Sequence, residues 1–236
     1  MSVAANIIAF INELTYDGPA LPPGIRMMNP YRAYPQAMAI AKCFYENFYS
    51  DNNKRLLILG INPGRFGSGR TGIPFTDPKR LPLVCDIPFD GPLTHEPSSV
   101  FIYDMIAAYG GPAAFYQDFY IGSVCPLGLV TVKEGKETNL NYYDNTEVHA
   151  LLDGFIIDNI KKQAALGMRT DICFCLGTGR NETVLRRLND KHHFFKPIIA
   201  LEHPRYFSQY KSRYRPDYIE KHLSAFGFAL SSRKSG

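Results

Sequence analysis

Six residues, Arg55 to Gly60, read RLLILG, a short apolar run that stops at a glycine. The run has no polar alternation, so both faces of the segment must be covered. That is the profile of a buried strand in a parallel sheet. Asp171 to Leu176 and Pro197 to Leu201 repeat it, and Phe119 to Val124 is a further candidate strand. Helical segments lie between: Val3 to Leu14, Ala33 to Tyr49 with Pro35 near its start, Ser98 to Tyr109, and a helix from Gly177-Thr178-Gly179 through Leu188. The plainest helix is Thr146 to Leu166. Val148, Leu151, Leu152, Phe155, Ile156 and Ile160 form one stripe, and Gly167 stops it. Alternating strands and helices imply right-handed crossovers and an α/β fold with a mostly parallel sheet. Ligands of such sheets sit beyond the carboxyl ends of the strands. Three segments are expected there, beginning at Gly60, Ser123 and His203.

A chain of 236 residues has one domain, 1–236, as its first expectation. Hydrophobic residues at 45% against 20% charged argue against intrinsic disorder. No stretch of about 18 apolar residues exists, so no membrane partner is expected. Met1 to Leu14 carries Asn6, Asn12 and Glu13 and has no basic start; it reads as an amphipathic helix rather than a secretory signal. The five cysteines include no C-x-x-C pair, which favours free thiols in a reducing compartment. Cys173 and Cys175 are expected to share one buried strand face. No metal and no cofactor are expected, because the sequence does not cluster ligands.

The net charge of +4 has a location. His203 to Arg215 reads HPRYFSQYKSRYR, with Arg205, Lys211, Arg213 and Arg215 and no acid. Tyr206, Phe207, Tyr210 and Tyr214 interleave with them. Cations beside rings suit a phosphate backbone with bases nearby, and the stretch fits an ordinary solvated face as well.

The densest signal is GINPGRFGSGRTGIPF, Gly60 to Phe75. Gly64 to Thr71 matches a phosphate-binding loop except that Arg70 stands where lysine belongs, so a nucleotide hydrolase is one alternative. A non-catalytic nucleic-acid binder is another. The second reading of the segment starts from Asn62, an amide at a strand end that both donates and accepts. Gly64 lets backbone approach a ligand, and Phe75 offers a flat apolar face. His203, stiffened by Pro204, adds a donor from another strand end. A positioned water, a stacking ring and a donor for a leaving anion serve hydrolysis of a base from a sugar, which on DNA requires the base to leave the stack.

The pattern resembles the single-strand-selective monofunctional uracil-DNA glycosylases, a branch of the uracil-DNA glycosylase superfamily. The matching residues are Gly60, Asn62-Pro63-Gly64, Phe66-Gly67, Thr71-Gly72 and Pro74-Phe75. Further on come Cys125-Pro126-Leu127, Gly177-x-Gly179-Arg180 and His203-Pro204, with Glu96-x-Ser98 and Phe101 as a fainter echo. The resemblance runs from about Leu56 to Arg205. It implies a three-layer sandwich and a monofunctional DNA glycosylase. This enzyme would release uracil and related damaged or deaminated bases, such as hydroxymethyluracil or xanthine, and leave an abasic site. Asn62 would hold the attacking water, Ile61 and Gly64 would line the pocket through their backbone, Phe75 would stack on the flipped base, and His203 would donate to the departing base. DNA is the implied partner, the chain is expected to act as a monomer, and an intracellular location follows, cytoplasm or nucleoid in a bacterium.

Two departures shape the expectation. The asparagine that the family uses to read the pyrimidine edge, two residues before Cys-Pro-Leu, is Ser123 here. A hydroxyl cannot read two separate polar atoms as an amide does, so a more permissive pocket is expected. After His203-Pro204 the family's usual wedge segment is replaced by Arg205-Tyr206-Phe207. Arg205 or Tyr206 is expected to fill the gap left by the flipped base, and Arg65 to meet a phosphate, with Phe207, Lys211 and Arg213 along the DNA path.

Overall fold

A computed structural model describes residues 1–206 and 212–231. In chain order the elements are α1 (Val3–Glu13), β1 (Ile25–Met28), α2 (Pro30–Ala33), α3 (Pro35–Phe48), β2 (Arg55–Gly60), α4 (Ser68–Thr71), α5 (Arg80–Val84), α6 (Pro97–Tyr109) and α7 (Pro112–Asp118). There follow β3 (Phe119–Ser123), β4 (Gly128–Lys133), β5 (Lys136–Leu140), α8 (Thr146–Ala165), β6 (Met168–Leu176), α9 (Arg180–His192), β7 (Ile198–Leu201) and α10 (Arg215–Ser231).

The central sheet has the order β3-β2-β6-β7 and is parallel throughout. Every residue of β2 is buried, as its uninterrupted apolar run requires. Neighbouring residues of β3 point to opposite faces, and each face has its own cover. Phe119 meets Phe226 of α10 at 4.6 Å between ring centres, while Tyr120 meets Tyr49 of the Tyr49-Tyr45 pair near α3 at 6.0 Å. Helices therefore lie on both sides of the sheet, in three layers. Cys173 and Cys175 are buried on β6, and all five cysteines are free.

The structure adjusts several sequence boundaries. The helix predicted from Ala33 starts at Pro35, which has no N–H to continue the turn before it, and Ala33 instead ends the short α2. The strand predicted from Asp171 starts at Met168, with its register shifting opposite Leu56/Leu57. The segment between β2 and α6 contains the short helices α4 and α5.

A second sheet, antiparallel in the order β1-β4-β5, was not expected from the sequence. Its β4–β5 hairpin turns at Glu134-Gly135, where both residues have positive φ (50° and 73°). That is the geometry that matches the twist of paired strands. The hairpin delivers Asn139, Leu140 and the segment after them to the carboxyl edge of the main sheet.

Candidate active site

Three carboxyl ends of the parallel sheet meet one cleft. Gly60 ends β2 and pairs with Ser123, the end of β3; their connection closes with Val124 N–H donating to the Gly60 carbonyl at 2.9 Å. His203 follows β7. Ile61, Asn62, Gly64, Phe75, Ser123, His203 and Arg205 all line the cleft, together with Glu96 and Asn141. The enclosed space is about 20 Å³, room for about one water, so a nucleobase requires the walls to part.

Asn62 is held at both ends of its amide. Its Nδ2 donates to the Leu140 carbonyl at 3.1 Å, and its Oδ1 accepts from Tyr142 N–H at 3.1 Å. Each atom keeps one further hydrogen-bonding position. The β5 segment also fixes the next turn, where Arg65 N–H donates to Asn139 Oδ1 at 3.1 Å.

Phe75 sits at φ 54°, in the left-handed region that costs a bulky residue on the order of 1–3 kcal/mol. The conformation is imposed by buried Thr71. Its hydroxyl donates to the Thr76 carbonyl at 2.7 Å and accepts from Ile73 N–H at 3.1 Å. The ring lies over Gly60, where an added Cβ would come within 2.9 Å of it. A side chain at position 60 would therefore push the ring out of place.

His203 is set in one tautomer. Its Nδ1 accepts from Arg205 N–H at 3.1 Å, which leaves the proton on Nε2. Burial, and then the charge of Arg205, lower its pKa to about 3. The ring is a neutral donor at physiological pH, with its centre 5.6 Å from that of Phe75.

Ser123 is buried and its backbone is occupied. Gln163 of α8 accepts from Ser123 N–H at 3.2 Å and donates to its carbonyl at 2.9 Å. The hydroxyl is the part of Ser123 left to face a ligand. Ser123 also borders a second small cavity lined by Tyr31, Tyr120 and Gln163. Gln163 escaped the sequence reading because nothing local couples position 163 to position 123. The sequence signal was a polar residue interrupting the buried stripe of α8.

Asp77, also unremarked in the sequence, is fully buried. Its Oδ2 accepts from Glu96 N–H at 2.8 Å and from Ser99 Oγ at 2.6 Å, which fixes the start of α6 against the cleft.

The cationic residues divide. Arg205 lines the cleft. Arg65 donates to the Glu137 carbonyl and lies over the Phe66 ring at 4.3 Å, bordering a groove shared with Arg26 and Arg70. Tyr206 is 39% exposed. Arg213 does not line the cleft; its guanidinium lies over the Tyr214 ring at 4.5 Å. Phe207 and Lys211 lie outside the described residues. The phosphate-loop alternative is corrected. The motif closes in the four-residue α4 and opens no longer helix to receive a phosphate, and Arg70 lies over the Tyr34 ring at 4.2 Å. Among the described residues no three His, Cys, Asp or Glu side chains gather as a metal site would need, and no helix is long and apolar enough to cross a membrane.

Comparison with known proteins agrees with this geometry. The family described as the uracil DNA glycosylase superfamily matches residues 46–227. Among solved structures, wild-type SMUG2 of Pedobacter heparinus is similar at 55% sequence identity and a TM-score of 0.96. The match covers 98% of this chain and 99% of that one. No curated protein matches.

Proposed function

The chain belongs to the uracil-DNA glycosylase superfamily and is a DNA glycosylase, a hydrolase of N-glycosyl bonds that acts on DNA in base excision repair. From that premise we propose that residues 1–236 work as one monomeric domain and excise uracil and related deaminated or oxidised bases after extruding them into the cleft of Asn62, Phe75 and His203. The observation that carries the proposal is the meeting of those three side chains, two from the Gly60–Phe75 motif and the third from beyond β7, on one cleft.

In this reading the base stacks on Phe75 and the sugar carbon that bears it faces Asn62. The locked amide cannot act as a strong base. It orients a water, and the cationic sugar that forms as the C–N bond breaks makes that water a sufficient nucleophile. The bonding electrons go to the base. His203 meets the negative charge on a base carbonyl through Nε2–H, and because it is already neutral it needs no change of protonation to do so. One preorganised donor of this kind is typically worth about 3–4 kcal/mol.

Base selection follows from Ser123. A hydroxyl over a rear cavity neither reads two polar atoms nor fills the space an amide would, so hydroxymethyluracil and xanthine are proposed as substrates beside uracil. Arg205 or Tyr206 fills the gap in the duplex. The decisive assay incubates purified protein, in chelator, with labelled oligonucleotides bearing one uracil, hydroxymethyluracil, xanthine or hypoxanthine, followed by alkali cleavage. Strand breaks at uracil and at the other lesions are the expected result. Cleavage at uracil alone sinks the permissive pocket, and no cleavage at any lesion sinks the whole reading.

A further inference from the structure

Glu96 is the ionisable group of the cleft that the chemistry above leaves unused. Its carboxyl rests on the turn of the first motif. A Cβ added at Gly64 would come within 2.7 Å of Oε1, and one added at Gly67 would overlap Oε2. Two glycines of the motif therefore make room for this one carboxyl. Its position is fixed from behind, since Asp77 accepts the Glu96 backbone N–H at 2.8 Å. Yet Oε2 is buried with no hydrogen-bond partner. A buried carboxylate oxygen without a donor is costly, which favours the neutral acid, while Oε1 lies beside Gly64, a residue of the cleft wall.

We propose that Glu96 acts in its neutral acid form as a second hydrogen-bond donor to the departing base, through its carboxyl O–H, at the carbonyl that His203 does not hold. The proposal rests on the glycosylase reading and adds a catalytic residue to it.

The electrostatics favour the acid form. Burial pushes the Glu96 pKa up to about 7, against the pull of Arg205 and with the help of Asp77. The other groups grouped around Asp77 are Arg80, at 3.5 Å, and His95, at 3.3 Å. Substrate strengthens the preference. An uncharged base seals the cleft from water, and DNA phosphates compete for Arg205; both disfavour the carboxylate. No proton need be transferred in full. The C–N electron pair moves onto the base, its charge is shared by the two donors, water adds to the sugar carbon, and the proton that the water loses neutralises the departing base.

The sign of the pH dependence follows. Below about pH 7 Glu96 is a donor in the free enzyme; above it the donor is lost, and kcat/KM for uracil release falls as pH rises. His203, neutral above about pH 3, adds no limb in that range.

The experiment measures uracil release from a single-stranded oligonucleotide between pH 5.5 and 9, under single-turnover conditions with the enzyme below saturation so that the rate reports kcat/KM, for the wild-type protein, Glu96→Gln, Glu96→Leu and His95→Gln. Thermal melting of each variant checks folding. Glutamine keeps a neutral N–H donor, so Glu96→Gln is expected to hold the low-pH rate within about tenfold and to lose the descending limb. Glu96→Leu is expected to fall by roughly a hundredfold at low pH. His95→Gln is expected to keep the limb. A wild-type rate that rises with pH, with Glu96→Gln as slow as Glu96→Leu, would make Glu96 a base toward water and overturn the donor. A wild-type rate flat in pH, matched by Glu96→Gln, overturns it as well, even if Glu96→Leu does not fold. Absence of uracil release by the wild-type protein at every pH overturns the glycosylase reading instead.

Discussion

Asn62 and Ser123 stand at the ends of adjacent strands of one sheet, yet they are fixed in opposite ways. At Asn62 the side chain is clamped, with both amide atoms bound to the backbone of the 140–142 segment. At Ser123 the backbone is clamped, with Gln163 holding its N–H and carbonyl, and the short hydroxyl is left over. The difference teaches where precision is needed. The sugar carbon and the attacking water are the same for every lesion, so a rigid amide is suited to them. The base edge varies, and in the proposed reading a short hydroxyl backed by a cavity is suited to that variation.

The contrast is broken most severely at its rigid end. Asn62→Ala and His203→Ala are each expected to lower single-turnover release of uracil by roughly a hundredfold or more, with little change in DNA affinity. Equal losses of affinity and rate would mean that these residues only bind. Gln163→Ala attacks the other clamp. It leaves the Ser123 N–H and carbonyl unpaired in a buried place, at about 1–3 kcal/mol of stability, visible as a lower Tm. Activity on uracil is expected to fall by roughly tenfold as the strand end loosens; an unchanged rate would show that the position of Ser123 is immaterial.

Ser123→Asn sharpens the comparison by restoring an amide at the base edge. Release of xanthine and hydroxymethyluracil relative to uracil is expected to fall by roughly tenfold, measured on matched oligonucleotides, as the amide fills the space and demands a matching edge. An unchanged ratio would place base selection elsewhere. The smallest effect is expected at Arg65→Ala, on the rim. Its exchange is expected to weaken DNA binding severalfold and to reduce the salt slope by about 1, with the lesion ratio unaltered. A salt slope identical to wild type would mean that Arg65 serves only Glu137 and Phe66.

The reading from sequence succeeded where the signal was local. Arg55 to Gly60 announced a strand through its own apolarity, and Gly60 announced its end. Motif order then brought Asn62, Phe75 and His203 forward as candidates, although 141 positions separate the first from the last. The β4–β5 hairpin passed unnoticed because its turn is Glu134-Gly135 and its second strand, KETNL, is polar and only partly buried. With no apolar alternation in KETNL, periodicity had little to detect.

By itself the amino-acid sequence determined the four strands of the parallel sheet in chain order, the glycines that end β2 and follow β6, and the residue types delivered to the carboxyl ends of those strands. These depend on side-chain period and turn chemistry within a few residues. The tertiary structure alone decided which hydrogen-bonding groups remain free once the chain has packed. It spent the Ser123 backbone on Gln163, put the His203 proton on Nε2, and enclosed the Glu96 carboxyl against Gly64 and Gly67. Desolvation and hydrogen-bond pairing belong to neighbours distant in the chain, and those neighbours exist only after folding.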